Sequence, residues 1–333
     1  MATTDPVFTV AVPTYNGARH LRAALGSILR SETGHDLIIV DDRSDDETLT
    51  IARELVGDRA RIEVNPERLG LARNWNRCVA LSQTPLVAIF HQDDVMRPDH
   101  LETHLEAHRQ NPSLGWVASG AEVIDQAENP VPDTVVERGG LGDKDLELDD
   151  GLGVEALATS NPLRCSAVTI NRSAHAEVGG FDPSYRYVVD WDFWVRVANV
   201  RPVAWRARTT AAIRWHHASE THRFANGLVD LDETARLLAW IDRHLDIYTV
   251  FYPEWRREAD KRLARAFLNR AHVAFKGGDA VLARRALVRS LRLAPAKMLA
   301  TLAVDPRLVA QLGAACFAPG WVKKANDPGN GSV

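Results

Sequence analysis

Apolar runs of four to six residues alternate with stretches of helical spacing through the first two thirds of the chain, and several runs end on acidic residues. Residues 7–12 form one such run, closed by Pro13-Thr14-Tyr15-Asn16-Gly17. Leu21, Ala24, Leu25, Ile28 and Leu29 then recur at the three-to-four-residue spacing of a helix with one buried face. The pattern repeats. Residues 37–40 are apolar and stop at Asp41-Asp42, and a helix is predicted over 48–56. A short strand over 61–64 precedes a helix marked by Leu71, Trp75, Cys78 and Val79, which leads to the run 86–90. Three strand-helix units of this kind predict an α/β fold with a parallel sheet and right-handed crossovers.

After Pro98 a helix is predicted in which Leu101 and Leu105 face the core and the row His100, His104, His108 faces out. Residues 116–119 read as a strand, whereas 125–150 are acidic, carry glycine and lack periodicity, as a loop or strand pair would. A further strand is predicted over 165–170. The segment 188–196 places Trp191, Trp194 and Val195 on a buried helix face, with Asp190 at or just before that helix's N-terminus. Residues 213–221 read as a strand end opening into a polar loop. Past Gly227 the composition becomes helical, and 264–294 predict two helices around Lys276-Gly277-Gly278-Asp279, like one tetratricopeptide-type hairpin. The expected organisation is one α/β domain over 1–225, a helical extension over 226–318 and a flexible tail over 319–333.

Composition narrows the function. With 333 residues and 45% hydrophobic content the chain can bury a sizeable core, and its net charge of −4 argues against the concentrated positive surface of a nucleic-acid binder. Three scattered cysteines supply neither a disulfide framework nor a paired-cysteine metal site. No stretch reaches eighteen consecutive apolar residues, and a cytoplasmic location is expected.

The chemistry concentrates where strands stop. In an open α/β sheet ligands bind beyond the strands' C-terminal ends, and the run 86–90 leads into His91-Gln92-Asp93-Asp94. Two ionised carboxylates about 4 Å apart repel by roughly 4 kcal/mol at an effective dielectric near 20, so such a pair shifts its pKa values, recruits donors or takes up a cation. A hard divalent ion is the simplest partner. Asp93 or Asp94 could also merely cap the following helix, and Asp190 could be only an N-cap.

Taken together, residues 12–17, 40–48, Gly70 to Asn74, Asp93-Asp94, Gly179-Gly180-Phe181-Asp182 and Asp190-Trp191-Asp192-Phe193-Trp194 resemble the motif series of the family 2 glycosyltransferases, over roughly residues 7–225. The resemblance implies a GT-A fold, with a mostly parallel, Rossmann-like sheet flanked by helices, a donor half near 7–120 and an acceptor half near 121–225. It implies a nucleotide-diphosphate sugar donor recognised by Thr14, Tyr15, Asn16, Asp42 and Arg73. Asp93 would touch the ribose, and Asp93 and Asp94 would hold Mg²⁺ or Mn²⁺ against the diphosphate. Asp190 would be the general base of an inverting transfer. His216 would be a further metal ligand, with His217 as the fallback, and Arg214 and His217 would lie against the donor. One departure stands out: many members carry a carboxylate where this chain has His91. The acceptor would be a carbohydrate, a small molecule or a lipid-linked glycan, the last met by peripheral docking of the arginine-rich helices 256–292 on a membrane.

Two other readings compete. A nucleotidyltransferase would also place carboxylates at strand ends, but it needs a glycine-rich basic turn after the first strand, and residues 13–17 offer one glycine and no lysine. A non-catalytic nucleotide-sugar or glycan-binding protein could keep the fold and lose the chemistry.

Overall fold

The computed structural model of the chain describes residues 7–131, 140–149, 151–215, 224, 226–244, 252–295 and 313. Strands β1 (Phe8–Thr14), β2 (His35–Asp41), β3 (Arg61–Val64) and β4 (Leu86–Ile89) alternate with helices α1 (Ala18–Ile28), α2 (Thr48–Val56) and α3 (Leu71–Leu81). All four strands are parallel and lie in the order β3-β2-β1-β4. Thr14 is opposite Asp41, Asp41 is opposite Val64 and Ala11 is opposite Ile89, which brings the four C-terminal ends to one edge. Chain order reverses at β1, and a crevice opens there by construction. The apolar periodicity of α1 explains its docking: Leu21, Leu25 and Ile28 are buried against Phe8, Val10 and Val12 of β1. Each such side chain contributes about 1.5–3 kcal/mol when fully buried.

Beyond β4 the sheet changes direction. Strand β8 (Val168–Asn171) pairs antiparallel with β4, β6 (Trp116–Ile124) pairs antiparallel with β8, and β9 (Val203–Arg214) runs parallel to β6. Short strands β5 (Val95–Met96) and β7 (Leu146–Leu148) pair antiparallel with β9, completing a nine-stranded sheet among the described residues. The strand expected over 165–170 starts late, because residues 165–167 wind into a 3-10 turn in which Ala167 N–H bonds Arg164 O. Helices α5 (Leu152–Leu157), α6 (Arg172–Glu177) and α7 (Val189–Ala198) complete this part of the molecule.

Helix α4 (His100–Gln110) corrects one expectation. Its histidine row does not face out: His100, His104 and His108 are buried, as are Leu101, Leu105 and Ala107. The polar face is hidden because hydroxyls on three strands meet it. His100 Nδ1 bonds Thr210, His104 bonds both Thr169 and Ser119, and His108 Nε2 bonds Thr169. Ser119 and Thr210 bond each other at 2.6 Å, closing a continuous chain of polar contacts under the sheet.

The chain divides into two compact units, residues 1–219 and 220–333. In the second, α8 (Val229–His244) is tied to α9 (Tyr252–Lys276) by an Arg270–Asp230 ion pair at 2.6 Å. Helix α9 forms a hairpin with α10 (Ala280–Leu293). The turn between them works because Gly278 takes φ +78°, a conformation that side chains other than glycine's strain to reach, and Asp279 then caps α10 through Leu282 N–H. No helix among the described residues is long and apolar enough to cross a membrane.

Candidate active site

The loop after β1 is fixed from outside. Gln92, in the turn after β4, accepts from Tyr15 N–H and donates to Tyr15 O, both at 3.0 Å, so its amide grips the backbone of one residue through two successive peptide groups. Gly17 makes room for it, since a Cβ there would sit 2.1 Å from Gln92 Oε1. The loop between β2 and α2 supplies the rest. Ser44 accepts from Asn16 N–H, Thr48 from Gly17 N–H and Asp46 from Ala18 N–H, satisfying three consecutive backbone donors that lead into the first turn of α1. Burial works to raise the Asp46 carboxyl, but its bonds from Thr48 and Ala18 prevail and hold it below its ordinary value.

The two acidic residues ending β2 have different jobs. Asp41 is fully buried and accepts from Thr14 Oγ at 2.8 Å and from Ser44. Thr14 is therefore buried with its hydroxyl spent on Asp41, and it supports the loop from beneath. Asp42 accepts from Asn65, Leu69 N–H and Gly70 N–H, pinning the loop that leads into α3. That loop carries Arg68, whose guanidinium lies 3.8 Å from the centroid of the Tyr15 ring. Arg73 is exposed in the first turn of α3. Tyr15 and Asn16, at the same strand edge, are part-exposed and exposed.

Beyond β4, ligand-type atoms of His91, Asp93 and Asp94 lie within 4.8 Å of one another. Asp94 is buried, and its carboxylate accepts Ser166 Oγ at 2.5 Å and Arg214 N–H at 2.9 Å. Burial first, and Asp93 second, push its carboxyl up to about 6. His91 Nδ1 is 3.7 Å from Asp94, its ring stacks on Trp75, and its Nε2 is buried with no hydrogen-bond partner among the described residues. A buried carboxylate beside a second one, with an unpartnered imidazole nitrogen, is a donor set that fits a divalent cation; carboxylate with imidazole suits Mn²⁺ well, while oxygen donors alone suit Mg²⁺. His91 was legible only as a missing carboxylate. Its place three residues before Asp94 was the available signal.

Arg214 differs from expectation. Its guanidinium is buried, donating to Asp93 O, Asp125 O and Gln126 O and pairing with Glu128 at 2.9 Å. It ties the chain after β6 to the Asp93 turn, and these partners occupy the charge. His216 and His217 lie outside the described residues.

Asp190 sits in the first turn of α7, with Oδ1 accepting Trp191 N–H at 2.7 Å and Oδ2 accepting Asn161 Nδ2 at 3.0 Å. The Gly179-Gly180-Phe181 stretch holds this helix in place. Asn76 accepts Phe181 N–H and donates to Phe181 O, Arg196 donates to Val178 O and Gly180 O, and Arg196 also pairs with Asp192 at 2.6 Å. Gly180 has φ +77°, and a Cβ there would approach Asn76 Oδ1 to 2.6 Å. Cys165 lies within electrostatic reach of both Asp190 and Asp94. Burial pushes its thiol well up, and the two carboxylates add to the effect.

Residues 9–139 match the model of the glycosyl transferase family 2. Over that stretch the chain resembles a family 2 glycosyltransferase domain. It is 27% identical over 246 residues to an uncharacterised protein of Mycobacterium tuberculosis, covering 71% of this chain and 76% of that one. A glycosyltransferase of Rickettsia prowazekii is 25% identical over 235 residues, covering 69% and 70%. Among solved structures, residues 1–349 of S. aureus TarS with UDP-GlcNAc match with a TM-score of 0.62 at 14% identity, over 96% of this chain and 88% of that one. The mannosyltransferase PcManGT of Pyrobaculum calidifontis, with GDP-Man and Mn²⁺, matches with a TM-score of 0.56 at 17% identity, over 97% and 88%. The chain thus has the GT-A fold.

Proposed function

We propose that this family 2 glycosyltransferase moves a sugar from a nucleoside-diphosphate donor to an acceptor hydroxyl with inversion at the anomeric carbon, in assembly of a glycan, a glycolipid or a secondary metabolite. The observation that carries the reading is the placement of Asp93 and Asp94 at the C-terminal end of β4, within one unit that also holds Asp190 on α7. Tyr15, Asn16 and Arg73 would receive the nucleoside, and Asp42 keeps carboxylate lone pairs beyond its three donors for a contact with the base. Asp93 would meet the ribose.

Asp93 and Asp94 would hold Mg²⁺ or Mn²⁺, with His91 beside them and His216 or His217 as candidates outside the described residues. When bound, the cation neutralises negative charge on the departing diphosphate. Asp190 takes the acceptor's proton as that oxygen attacks the anomeric carbon from the face opposite the diphosphate. The carbon–oxygen bond to the diphosphate breaks, and its electron pair leaves with the phosphate. General-base help of this kind is worth about 10²- to 10⁴-fold. Asp190→Asn is therefore expected to abolish transfer and spare donor binding.

The test is calorimetric titration with UDP, GDP and dTDP, each with Mn²⁺ and with chelator. Metal-dependent binding of one nucleotide, lost in Asp94→Ala, is the expected result; no binding of any nucleotide would sink the reading. His91 in place of the usual carboxylate favours one alternative, a protein that binds nucleotide sugar without turning it over, and nucleotide binding with no sugar transfer would select it. We place the protein in the cytoplasm. A lipid-linked acceptor would be met at the membrane surface through α10, which carries Arg284, Arg285, Arg289 and Arg292 and no acidic residue. Co-sedimentation with anionic but not zwitterionic liposomes is the outcome that supports this contact.

A further inference from the structure

Residues 161–166 touch both carboxylates on which the proposed chemistry depends. At one end, Asn161 donates from Nδ2 to Asp190 Oδ2 at 3.0 Å. At the other, Ser166 Oγ donates to Asp94 Oδ2 at 2.5 Å and accepts His91 N–H at 3.0 Å. Neither contact is free to turn over. Asn161 Oδ1 accepts Leu163 N–H at 3.1 Å, so a flipped amide would aim NH₂ at that N–H and a carbonyl oxygen at a carboxylate. Ser166 has one hydroxyl proton, and it is given to Asp94 while the oxygen accepts the His91 N–H.

The segment between these contacts is anchored. Leu163 and Cys165 are buried, the 3-10 turn over 165–167 is closed by the Ala167 N–H bond to Arg164 O, and the chain passes directly into β8, held between β4 and β6. Pro162 restricts the backbone of Asn161 before it. Each carboxylate has a second anchor from its own neighbourhood: Trp191 N–H on Asp190 Oδ1, and Arg214 N–H on Asp94 Oδ1.

We infer that residues 161–166 act as a positioning strap, which fixes the Asp190 carboxylate relative to the Asp94 end of the site through the Asn161 amide. The inference rests on the reading of Asp190 as base. Transfer with inversion requires the base and the departing diphosphate on opposite faces of one carbon, and a misplacement of about 1 Å costs on the order of 10²-fold in rate. Asn161 and Ser166 occupy only part of each carboxylate's accepting capacity, since a carboxylate offers about four lone-pair sites. Asp190 therefore retains room for an acceptor proton.

Three variants test the strap: Asn161→Ala, Asn161→Asp and Asp190→Asn. Donor affinity is read by calorimetry with the nucleotide that binds, and turnover as release of nucleoside diphosphate from the corresponding nucleotide sugar. Asn161→Asp preserves shape and removes the donor. It should turn over no faster than Asn161→Ala, both at least about 10-fold below wild type in kcat with nucleotide Kd unchanged. A packing role predicts the reverse order, with Asn161→Asp close to wild type, and that result overturns the strap, as does a parallel loss of kcat and nucleotide affinity. A crystal structure of Asn161→Ala supplies a measurement independent of turnover: Asp190 turned from its wild-type rotamer supports the strap, and an unmoved carboxylate overturns it. Normal turnover by Asp190→Asn removes the base and the strap together. An inactive Asp190→Asn beside a fully active Asn161→Asp removes the strap alone.

Discussion

Gln92 and Gly17 show how much of this site depends on space rather than on charge. The backbone of Gly17 has φ −105°, within reach of any residue, so the demand for glycine comes wholly from the Gln92 amide beside it. Gly17→Ala pushes that amide away and removes two hydrogen bonds on Tyr15, each worth about 1 kcal/mol. Nucleotide affinity should fall by about 10-fold in calorimetry while the melting temperature drops only a few degrees. Unchanged affinity would show that the grip on Tyr15 does not serve the donor loop. The same residues mark the limit of what sequence can reveal. Acidic positions at strand ends were legible because residue type and place both point to chemistry. Occupancy was not: Thr14 and Arg214 are donors with suitable addresses, yet Thr14 is spent on Asp41 and Arg214 on carbonyls nearly ninety positions away in the chain. No local pattern encodes a partner at that distance.

At the scale of elements, α4 carries the clearest consequence. Burial, assisted by Arg206 at His108 and opposed by Asp99 at His100, holds both of these histidines down at about 4 against a usual 6.5. His104 is pushed well below its usual value by burial, then by its two neighbours and Arg206, and His175 falls to about 4 through burial and Arg196. Each folded-state pKa lies below its unfolded value, so between about pH 6.5 and 4 the unfolded chain binds more protons. Their contribution to stability is complete above about pH 6.5 and is lost as pH falls, levelling off near 4 for His100, His108 and His175. Asp94, raised to about 6, works the other way, but it is one group against four. The melting temperature should fall by about 10 °C or more between pH 7 and pH 4.5; a flat profile would contradict the buried row. The spacing of α4 gave its helicity and its leucine face correctly. Its second buried face depended on Thr169, Ser119 and Thr210, hydroxyls that sequence periodicity registers only as polar residues on other strands.

For the whole molecule, the unit ending at Ser219 contains every described residue of the proposed site. A fragment of residues 1–219 is expected to fold and to bind nucleotide with metal; loss of binding in a folded fragment would assign part of the site to residues 220–333. The parallel half of the sheet was legible because each strand-helix unit announces itself locally. Strand β8 was legible as a strand but not in its place, since antiparallel insertion between β4 and β6 is a choice of partners and leaves no trace in periodicity. That insertion has a kinetic consequence. Because β8 joins the parallel strands β1 to β4 to β6 and β9 in one sheet, no hinge can open between them without breaking the ladder at Leu86, Val87 and Ala88. Small-angle scattering of the 1–219 fragment should give the same radius of gyration with and without nucleotide. On the proposed function, exchange of nucleotide then falls to the loops above a rigid floor rather than to domain closure, and turnover should respond to loop sequence and solvent viscosity.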